Sequence, residues 1–350
     1  FGTAEVSVGA GSTLTATAAV LSEVTVTGNV VVTGLDGAAA YNLAGLNAAT
    51  AVLATGVTTL NEETVLGNVE ITVPQNSELV LTADQADGTT IAGAAVNGTG
   101  NKGGSVTVLG LSDGIDLSGI SASTILAGAV NATNSDLIVK VSEDTDLSGH
   151  DTDENFGDFS INVAEGATLT LDAASLTHDD NGTVVTPVTG AGNVTVELPD
   201  EDFDLSGVDV TGTKVANVTA VINLSENTVD FGDFDVSVAA NARLTLTAAQ
   251  ATGLTVTGAN GTAETDDDQA TVGGSVVVTL VNDDGETAYN FANITAGAGY
   301  EGDDGIEGAG ELTAELSGTV VLNAATDLGN FSLDLESGTQ LTLSAAQADE

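Results

Sequence analysis

Internal repetition constrains this chain more than any other feature of its sequence. A segment reading FGDFDVSVAANARLTLTAAQATG at 231–253 recurs without gaps in four other places. The copies divide the chain into repeats at 1–65, 66–155, 156–230, 231–327 and an incomplete fifth at 328–350. Such self-similarity predicts a repeat array, in which each unit buries one face on its neighbour. Because the chain opens on one repeat and stops inside another, we expect it to be a piece of a longer protein.

The opening motif of each repeat carries the alternation of β-strands. In the fourth copy, Val236 and Val238, and then Leu244 and Leu246, are separated by small or polar residues. This period of two predicts two strands that each bury one face. The AAQA tail at 248–251 predicts a single helical turn.

Other shared elements follow the opening motif in each repeat. Val-rich strands are predicted at 29–35, 105–109, 193–198 and 275–280. A further element reads YNLAGL, DLSGI, DLSGV or YNFANI, at 41–46, 116–120, 204–208 and 289–294. Strand patterns recur about every ten residues and helical patterns are almost absent, so we predict an all-β fold.

Two all-β architectures fit this pattern. Aromatic residues are only 3% of the chain, and Trp, Met and Cys are absent, so the core is built from Val, Leu, Ile, Ala and Thr. A narrow aliphatic core favours a parallel β-solenoid, whereas the unequal repeat lengths favour tandem Ig-like β-sandwiches. A Phe recurs at one position of the opening motif, as Phe159, Phe234 and Phe331, and we predict that it fills the core.

The charge balance excludes several classes of partner. The chain has 51 acidic and 4 basic residues, for a formal charge of −47, which repels nucleic acid and anionic membranes and attracts cations. Apolar residues make up 42% of the chain, too many for a disordered acidic tail, so the carboxylates coat a folded body. We also predict no membrane span, because no run of about 20 apolar residues occurs.

Acidic loops are the strongest sign of a binding function. Carboxylates beside the backbone carbonyls of glycine turns are ligands that Ca²⁺ prefers, so Ca²⁺ is the one cofactor that we predict. A solvated repulsive coat explains the same loops, as does adaptation to high salt. The candidate calcium ligands are Asp151, Asp153, Asp158, Asp179, Asp180, Asp202, Asp204, Asp266, Asp267, Asp268, Asp283, Asp284, Asp303 and Asp304.

Catalytic patterns are missing from the sequence. The two histidines, His150 and His178, lie in hydrophilic stretches, and the chain contains no HExxH, GxSxG or P-loop pattern. Carboxylate pairs are so frequent that no single pair indicates general acid–base catalysis. We therefore predict that the protein is not an enzyme, and that Arg243 and Lys140, which lie in strand patterns, pair with nearby acids.

One motif resembles a known class of proteins. The segments LVLTADQADG at 79–88, LTLTAAQATG at 244–253 and LTLSAAQAD at 341–349 resemble repeats of giant bacterial surface proteins, which include secreted adhesins, biofilm-matrix fibres and surface-layer proteins. The resemblance implies an extracellular or cell-surface location, a structural or adhesive role and, often, dependence on Ca²⁺.

The sequence thus predicts a structural repeat segment of an extracellular filament, sheath or surface lattice. Its expected partners are copies of itself and surface polysaccharide, and cations are expected to stabilise it. Open strand edges at the ends of a repeat stack would let copies pair. The alternative function is the passive stalk of a large adhesin whose binding domain lies outside this segment.

Overall fold

The structure is a computed structural model that describes residues 5–111, 114–126, 132–148, 156–178, 184–263, 270–302 and 305–348. The chain forms two compact units, and each is described by itself. Unit 1 comprises residues 1–169, 186–193 and 209–211, and unit 2 comprises residues 170–185, 194–208 and 212–350.

The elements are short strands with four single-turn helices. The first half of the chain contains β1 (Glu5–Ser7), β2 (Thr13–Thr17), α1 (Ala18–Leu21), β3 (Thr25–Thr27), β4 (Asn29–Thr33), β5 (Ala49–Val52), β6 (Val57–Thr59), β7 (Val69–Val73), β8 (Glu78–Thr82), α2 (Ala83–Ala86), β9 (Ile91–Gly93), β10 (Ser105–Leu109), β11 (Ile120–Ser121), β12 (Leu137–Val141), β13 (Thr145–Asp146), β14 (Ser160–Val163) and β15 (Thr168–Asp172).

The remaining elements follow the same pattern. They are α3 (Ala173–Leu176), β16 (Thr177–His178), β17 (Val184–Val185), β18 (Val188–Gly190), β19 (Asn193–Glu197), β20 (Phe203–Asp204), β21 (Val208–Val210), β22 (Lys214–Val218), β23 (Val221–Asn223), β24 (Val229–Asp230), β25 (Asp235–Val238), β26 (Arg243–Thr247), α4 (Ala248–Ala251), β27 (Val256–Gly258), β28 (Ser275–Val281), β29 (Ile294–Thr295), β30 (Tyr300–Gly302), β31 (Gly305–Glu307), β32 (Leu312–Ser317), β33 (Thr319–Val321), β34 (Ser332–Leu335) and β35 (Gln340–Thr342). The predicted strands, the helical turn and the all-β class are confirmed.

Unit 1 contains two long parallel ladders. In one, β2, β4, β5, β7, β9 and β11 follow one another; in the other, β6, β8, β10, β12, β14 and β18 do. The two strands of an opening motif, such as β7 and β8, therefore belong to different sheets. Two strands separate the second opening strand of one repeat, β2, from the first opening strand of the next, β7.

Unit 2 repeats this order. One ladder contains β19, β22, β25, β27 and β29, and another contains β23, β26, β28, β32 and β34. Again two strands separate the second opening strand of the fourth repeat, β26, from the first opening strand of the fifth, β34. The antiparallel pairings among the described residues are the short hairpins β16–β17 and β30–β31 and a bridge between Thr262 and Thr271.

Neighbouring strands in a ladder lie about twenty residues apart along the chain. Val215 pairs with Asp235, Val236 pairs with Val256, and the same spacing joins β5 to β7. The spacing increases where loops are inserted, as between β28 and β32. Insertions therefore lengthen the connection without changing the direction of pairing.

The core follows the alternation that the sequence predicts. In β7, Val69, Ile71 and Val73 are buried and the residues between them face outward. The recurring aromatic position is buried at Phe159 (1% exposed) and Phe234 (3% exposed), which confirms its predicted place in the core for these two copies, whereas Phe331 is only half-buried.

Candidate functional site

Acidic and amide side chains in the loops close a recurring turn. The Oδ1 atom of Asp204 accepts the Ser206 N–H at 2.8 Å, and Asp230 accepts the Gly232 N–H at 2.8 Å. In each case the side chain holds the backbone two residues later, which is the geometry of an Asx turn. The same bond forms at Asp36, Asn42, Asn61, Asp116, Asp146, Asn223, Asp283, Asp284, Asn290, Asn323 and Asp327.

In most of these turns the residue directly after the Asp or Asn is apolar and buried, and its carbonyl accepts a second hydrogen bond from the N–H three residues later. The Phe231 carbonyl accepts the Phe234 N–H at 3.1 Å, and the Leu205 carbonyl accepts the Val208 N–H at 3.1 Å. The first pair belongs to an opening motif and the second to the DLSGV element. Sequence reasoning treated these as separate elements, but they form the same turn. The structural period is therefore shorter than the repeat.

The candidate calcium ligands that the structure describes contribute to such loops. Asp202 accepts the Thr228 N–H at 2.8 Å, and Asp284 accepts the Glu286 N–H at 3.0 Å. Asp283 accepts both the Gly285 N–H and the Tyr289 hydroxyl. These carboxylates are held by nearby donors of the chain.

The remaining candidates are either exposed or outside the described residues. Asp158 is exposed. Nine lie outside the described ranges: Asp151, Asp153, Asp179, Asp180, Asp266, Asp267, Asp268, Asp303 and Asp304. Among the residues that are described, no three acidic or histidine side chains converge on a point that could hold a metal ion.

A glutamine in the helical turn connects successive segments of the chain. Gln85 is 6% exposed, and its amide donates to the carbonyls of Asn61 (2.7 Å) and Thr64 (2.9 Å). Its side-chain oxygen accepts the Thr82 N–H, while Thr82 Oγ1 accepts the Gln85 N–H. This capping box starts α2 and fixes the loop that precedes β7.

The same arrangement recurs in unit 2. Gln250 donates to the carbonyls of Leu224 and Asn227, at 2.8 and 2.9 Å, and forms a capping box with Thr247. Gln347 and Ser344 repeat it near the end of the chain. Sequence reasoning predicted the helical turn but not this role. The signal was present, because a Thr or Ser three residues before a Gln is a capping-box pattern.

Two homologous tyrosines bind an aspartate and a threonine. In unit 1, the Tyr41 hydroxyl donates to Asp36 Oδ1 at 2.9 Å, and the Tyr41 N–H donates to Thr64 Oγ1 at 3.3 Å. In unit 2, Tyr289 makes the same pair of bonds with Asp283 and Thr326. Burial, helped by the hydrogen bond to Asp283, raises the pKa of Tyr289 to about 12. The hydrogen bond to Asp36 likewise raises the pKa of Tyr41.

We expect the Tyr289 phenol to ionise near pH 12 in the folded protein, against an ordinary pKa of 10.0. Between these pH values the folded chain keeps a proton that the unfolded chain loses, so stability falls as the pH rises through this window. Near-ultraviolet titration of tyrosinate absorbance measures this step, and the chain has no Trp to obscure it. Tyr289→Phe should remove the late step and Asp283→Asn should lower its midpoint; titration of every tyrosine near its ordinary pKa would contradict the assignment.

Three cationic side chains pair with acids. Lys102 pairs with Asp136, and Lys214 pairs with Asp233. Arg243 Nη2 lies 3.4 Å from Glu315 Oε1, and this pair joins β26 to β32 across β28. The prediction that Arg243 pairs with an acid is confirmed, but the structure gives Lys140 no acidic partner among the described residues. Because the chain has only 4 basic residues against 51 acidic ones, most acidic side chains have no basic partner and the surface is strongly negative.

Comparison with known proteins assigns no family or function to the chain. No protein-family profile, curated protein or solved structure matches the chain. Within the described ranges, no helix has both the length and the apolar character needed to cross a bilayer. The turns, the glutamine bonds and the ladders are therefore the observations on which a function rests.

Proposed function

We propose that this chain is a structural repeat segment of an extracellular filament, sheath or surface lattice. The observation that carries the proposal is the parallel ladder, in which strands pair with strands later in the chain, as Leu14 does with Val30, Val236 with Val256 and Val256 with Ile294. The parallel direction of pairing supports a parallel β-solenoid over tandem Ig-like sandwiches, because Ig-like sheets are antiparallel. In a solenoid each turn of the chain forms the surface on which the next one stacks.

The hydrogen bonds made by the polar residues support a structural role. Loop carboxylates accept backbone N–H groups, within their own turn at Asp204 and from a later segment at Asp202, and the glutamine amides of α2 and α4 bind carbonyls of the preceding segment. These groups satisfy the polar backbone where the chain reverses direction. The resemblance to bacterial surface repeats supports an extracellular location.

Copies of this chain are the partners in the proposed function, and cations allow them to approach. A charge of −47 repels an identical chain until salt screens it. Screening by any cation would be enough if the carboxylates form only a coat. A specific effect of Ca²⁺ would place metal ligands in the acidic loops.

Purified protein should form assemblies much larger than the 34.4 kDa chain. We would measure this by sedimentation and electron microscopy at matched ionic strength, with CaCl₂ in one series and NaCl in the other. Assembly in both series indicates screening, and assembly that needs Ca²⁺ indicates specific binding. Only isolated particles at every concentration in both series would refute self-assembly and favour the passive-stalk alternative.

A further inference from the structure

The tripeptide Asn-Gly-Thr occurs in both compact units, in two different structural settings. Asn97 begins one copy in unit 1 and Asn260 begins another in unit 2, while a third copy, at 181–183, lies outside the described residues. We propose that Asn97 is a site of spontaneous deamidation in the folded protein, and that the fold protects Asn260 from the same reaction. This inference is independent of the proposed function.

The reaction needs only water and the chain itself. The Gly98 nitrogen loses its proton and attacks Cγ of Asn97, an attack favoured because both groups belong to one short segment and because glycine has no Cβ in the way. A C–N bond forms, the bond from Cγ to Nδ2 breaks, and the side-chain nitrogen leaves as ammonia, taking up a proton. Water then opens the resulting cyclic imide. Opening at Cγ gives aspartate, and opening at the backbone carbonyl gives isoaspartate, in which the chain runs through the side chain.

The Asn97 pair is accessible in the structure. Asn97 and Gly98 are both exposed. Within the described ranges, neither the Asn97 side chain nor the Gly98 N–H forms a hydrogen bond. The side chain can therefore rotate onto the Gly98 nitrogen without breaking a hydrogen bond to the described residues, and water reaches the imide once it has formed.

A neighbouring amide stabilises the charge that develops in the first step. The Asn101 Nδ2 atom donates to the Asn97 carbonyl oxygen. This oxygen belongs to the peptide unit whose nitrogen loses the proton, so part of the negative charge moves onto it and is stabilised by the donor. The Asn76 Nδ2 atom donates to Asn101 Oδ1 at 3.2 Å and holds the Asn101 amide in this orientation. The contact therefore favours attack by the Gly98 nitrogen.

The same dipeptide in unit 2 is fixed by hydrogen bonds. The Gly261 N–H, which would have to lose its proton, donates to the Ala298 carbonyl at 2.8 Å. The Asn260 Oδ1 atom accepts the Ala298 N–H at 2.9 Å, so rotation of this side chain breaks a second bond. Gly261 is also buried, and a Cβ built on it would lie 2.3 Å from the Gly308 carbonyl oxygen. Ring closure at Asn260 therefore requires this part of the chain to open first.

Deamidation at Asn97 changes the backbone next to a paired residue. Val96 is fully buried; its N–H donates to the Thr124 carbonyl at 2.7 Å, and its carbonyl accepts the Leu126 N–H at 3.0 Å. These bonds pair Val96 with Ile125 in parallel. An isoaspartate lengthens the backbone by one atom directly after Val96, so its formation should weaken this pairing.

Peptide mapping by mass spectrometry tests the proposal on the folded chain. The protein is incubated in mildly alkaline buffer, and the deamidated fraction at each asparagine is measured over time. We expect Asn97 to deamidate at least about tenfold faster than Asn260, because only Asn260 must wait for local opening. In urea the two rates should be equal, because the local sequences are alike. Equal rates in the folded protein, or faster reaction at Asn260, would overturn the proposal.

Asn101→Leu tests the contribution of the neighbouring amide. It removes the donor and keeps a side chain of similar size, so deamidation at Asn97 should slow by about three- to tenfold, the rate equivalent of one hydrogen bond. The variant and the wild type should react equally in urea, where the contact is lost. Thermal unfolding checks that the variant is folded. Unchanged or faster deamidation of the folded variant would show that Asn101 does not assist the reaction.

Discussion

Replacing Gly104 with alanine is expected to destabilise unit 1 by about 2–3 kcal/mol, because the new methyl group has no space. A Cβ atom at this position would lie 2.8 Å from both the carbonyl carbon and the Cβ of Val73, and closer still to the Val73 carbonyl oxygen. These are atoms of a paired strand, so relief requires the ladder itself to move. Urea unfolding followed by circular dichroism measures the effect as a lower midpoint.

Gly9→Ala is the matched control for this substitution. No atom lies within 4 Å of a Cβ built at Gly9, which is also in unit 1, so the change should alter stability by no more than about 0.5 kcal/mol. Equal midpoints for Gly104→Ala and Gly9→Ala would show that the ladder yields to the extra methyl group. The packing argument would then be wrong.

The crowding at Gly104 recurs in other repeats. Gly192 and Gly274 also precede a Val-rich strand, and a Cβ at either would collide with the opening strand beside it. The glycine therefore permits the close approach of two segments in each case. Sequence reasoning used glycine only as a sign of turns and missed this function.

Replacing Gln85 with alanine should cost about 2–4 kcal/mol, because a buried carbonyl, a part-buried carbonyl and a helix cap lose their partners at once. The carbonyls of Asn61 and Thr64 would be left without the Gln85 amide, and the Thr82 N–H without the Gln85 oxygen. The expected signature is a lower unfolding midpoint together with faster proteolysis in the loop before β7.

Asp84→Ala is the control for Gln85→Ala. Asp84 precedes Gln85 in the same helical turn and is exposed, so its removal should cost less than about 1 kcal/mol. The first repeat provides a natural comparison, because Val20 stands at the equivalent position and α1 has no side-chain cap. If both variants unfold at the same midpoint, the glutamine does not hold the loop.

Local features of this protein were predictable from local sequence. The alternation of Val236, Val238, Leu244 and Leu246 predicted two strands and their buried face, because side chains on a strand alternate between its two sides. The tail that follows was predicted as one helical turn, and α4 is that turn. The recurring Phe was predicted in the core, where Phe159 and Phe234 lie, whereas Phe331 is only half-buried.

Predicting the roles of polar residues from sequence was harder. From sequence alone, an Asp in a loop is equally compatible with a metal ligand, a solvated charge and a turn residue. In the structure, Asp202 and Asp204 accept backbone N–H groups. The role of such an aspartate depends on which donors the fold brings near its side chain. The Gln85 amide likewise binds carbonyls more than twenty residues earlier, a separation that no short pattern reports.

By itself, the sequence determined the strands, their inward faces, the helical turn and the repetition, since each depends on neighbouring residues and on the period of two. Only the tertiary structure decided which strands pair, that they pair in parallel, and that the two opening strands of a repeat enter different sheets. The physical reason is that pairing joins segments about twenty or more residues apart, and similar Val-rich strands are nearly interchangeable partners until turns, glycines and loop lengths select a register.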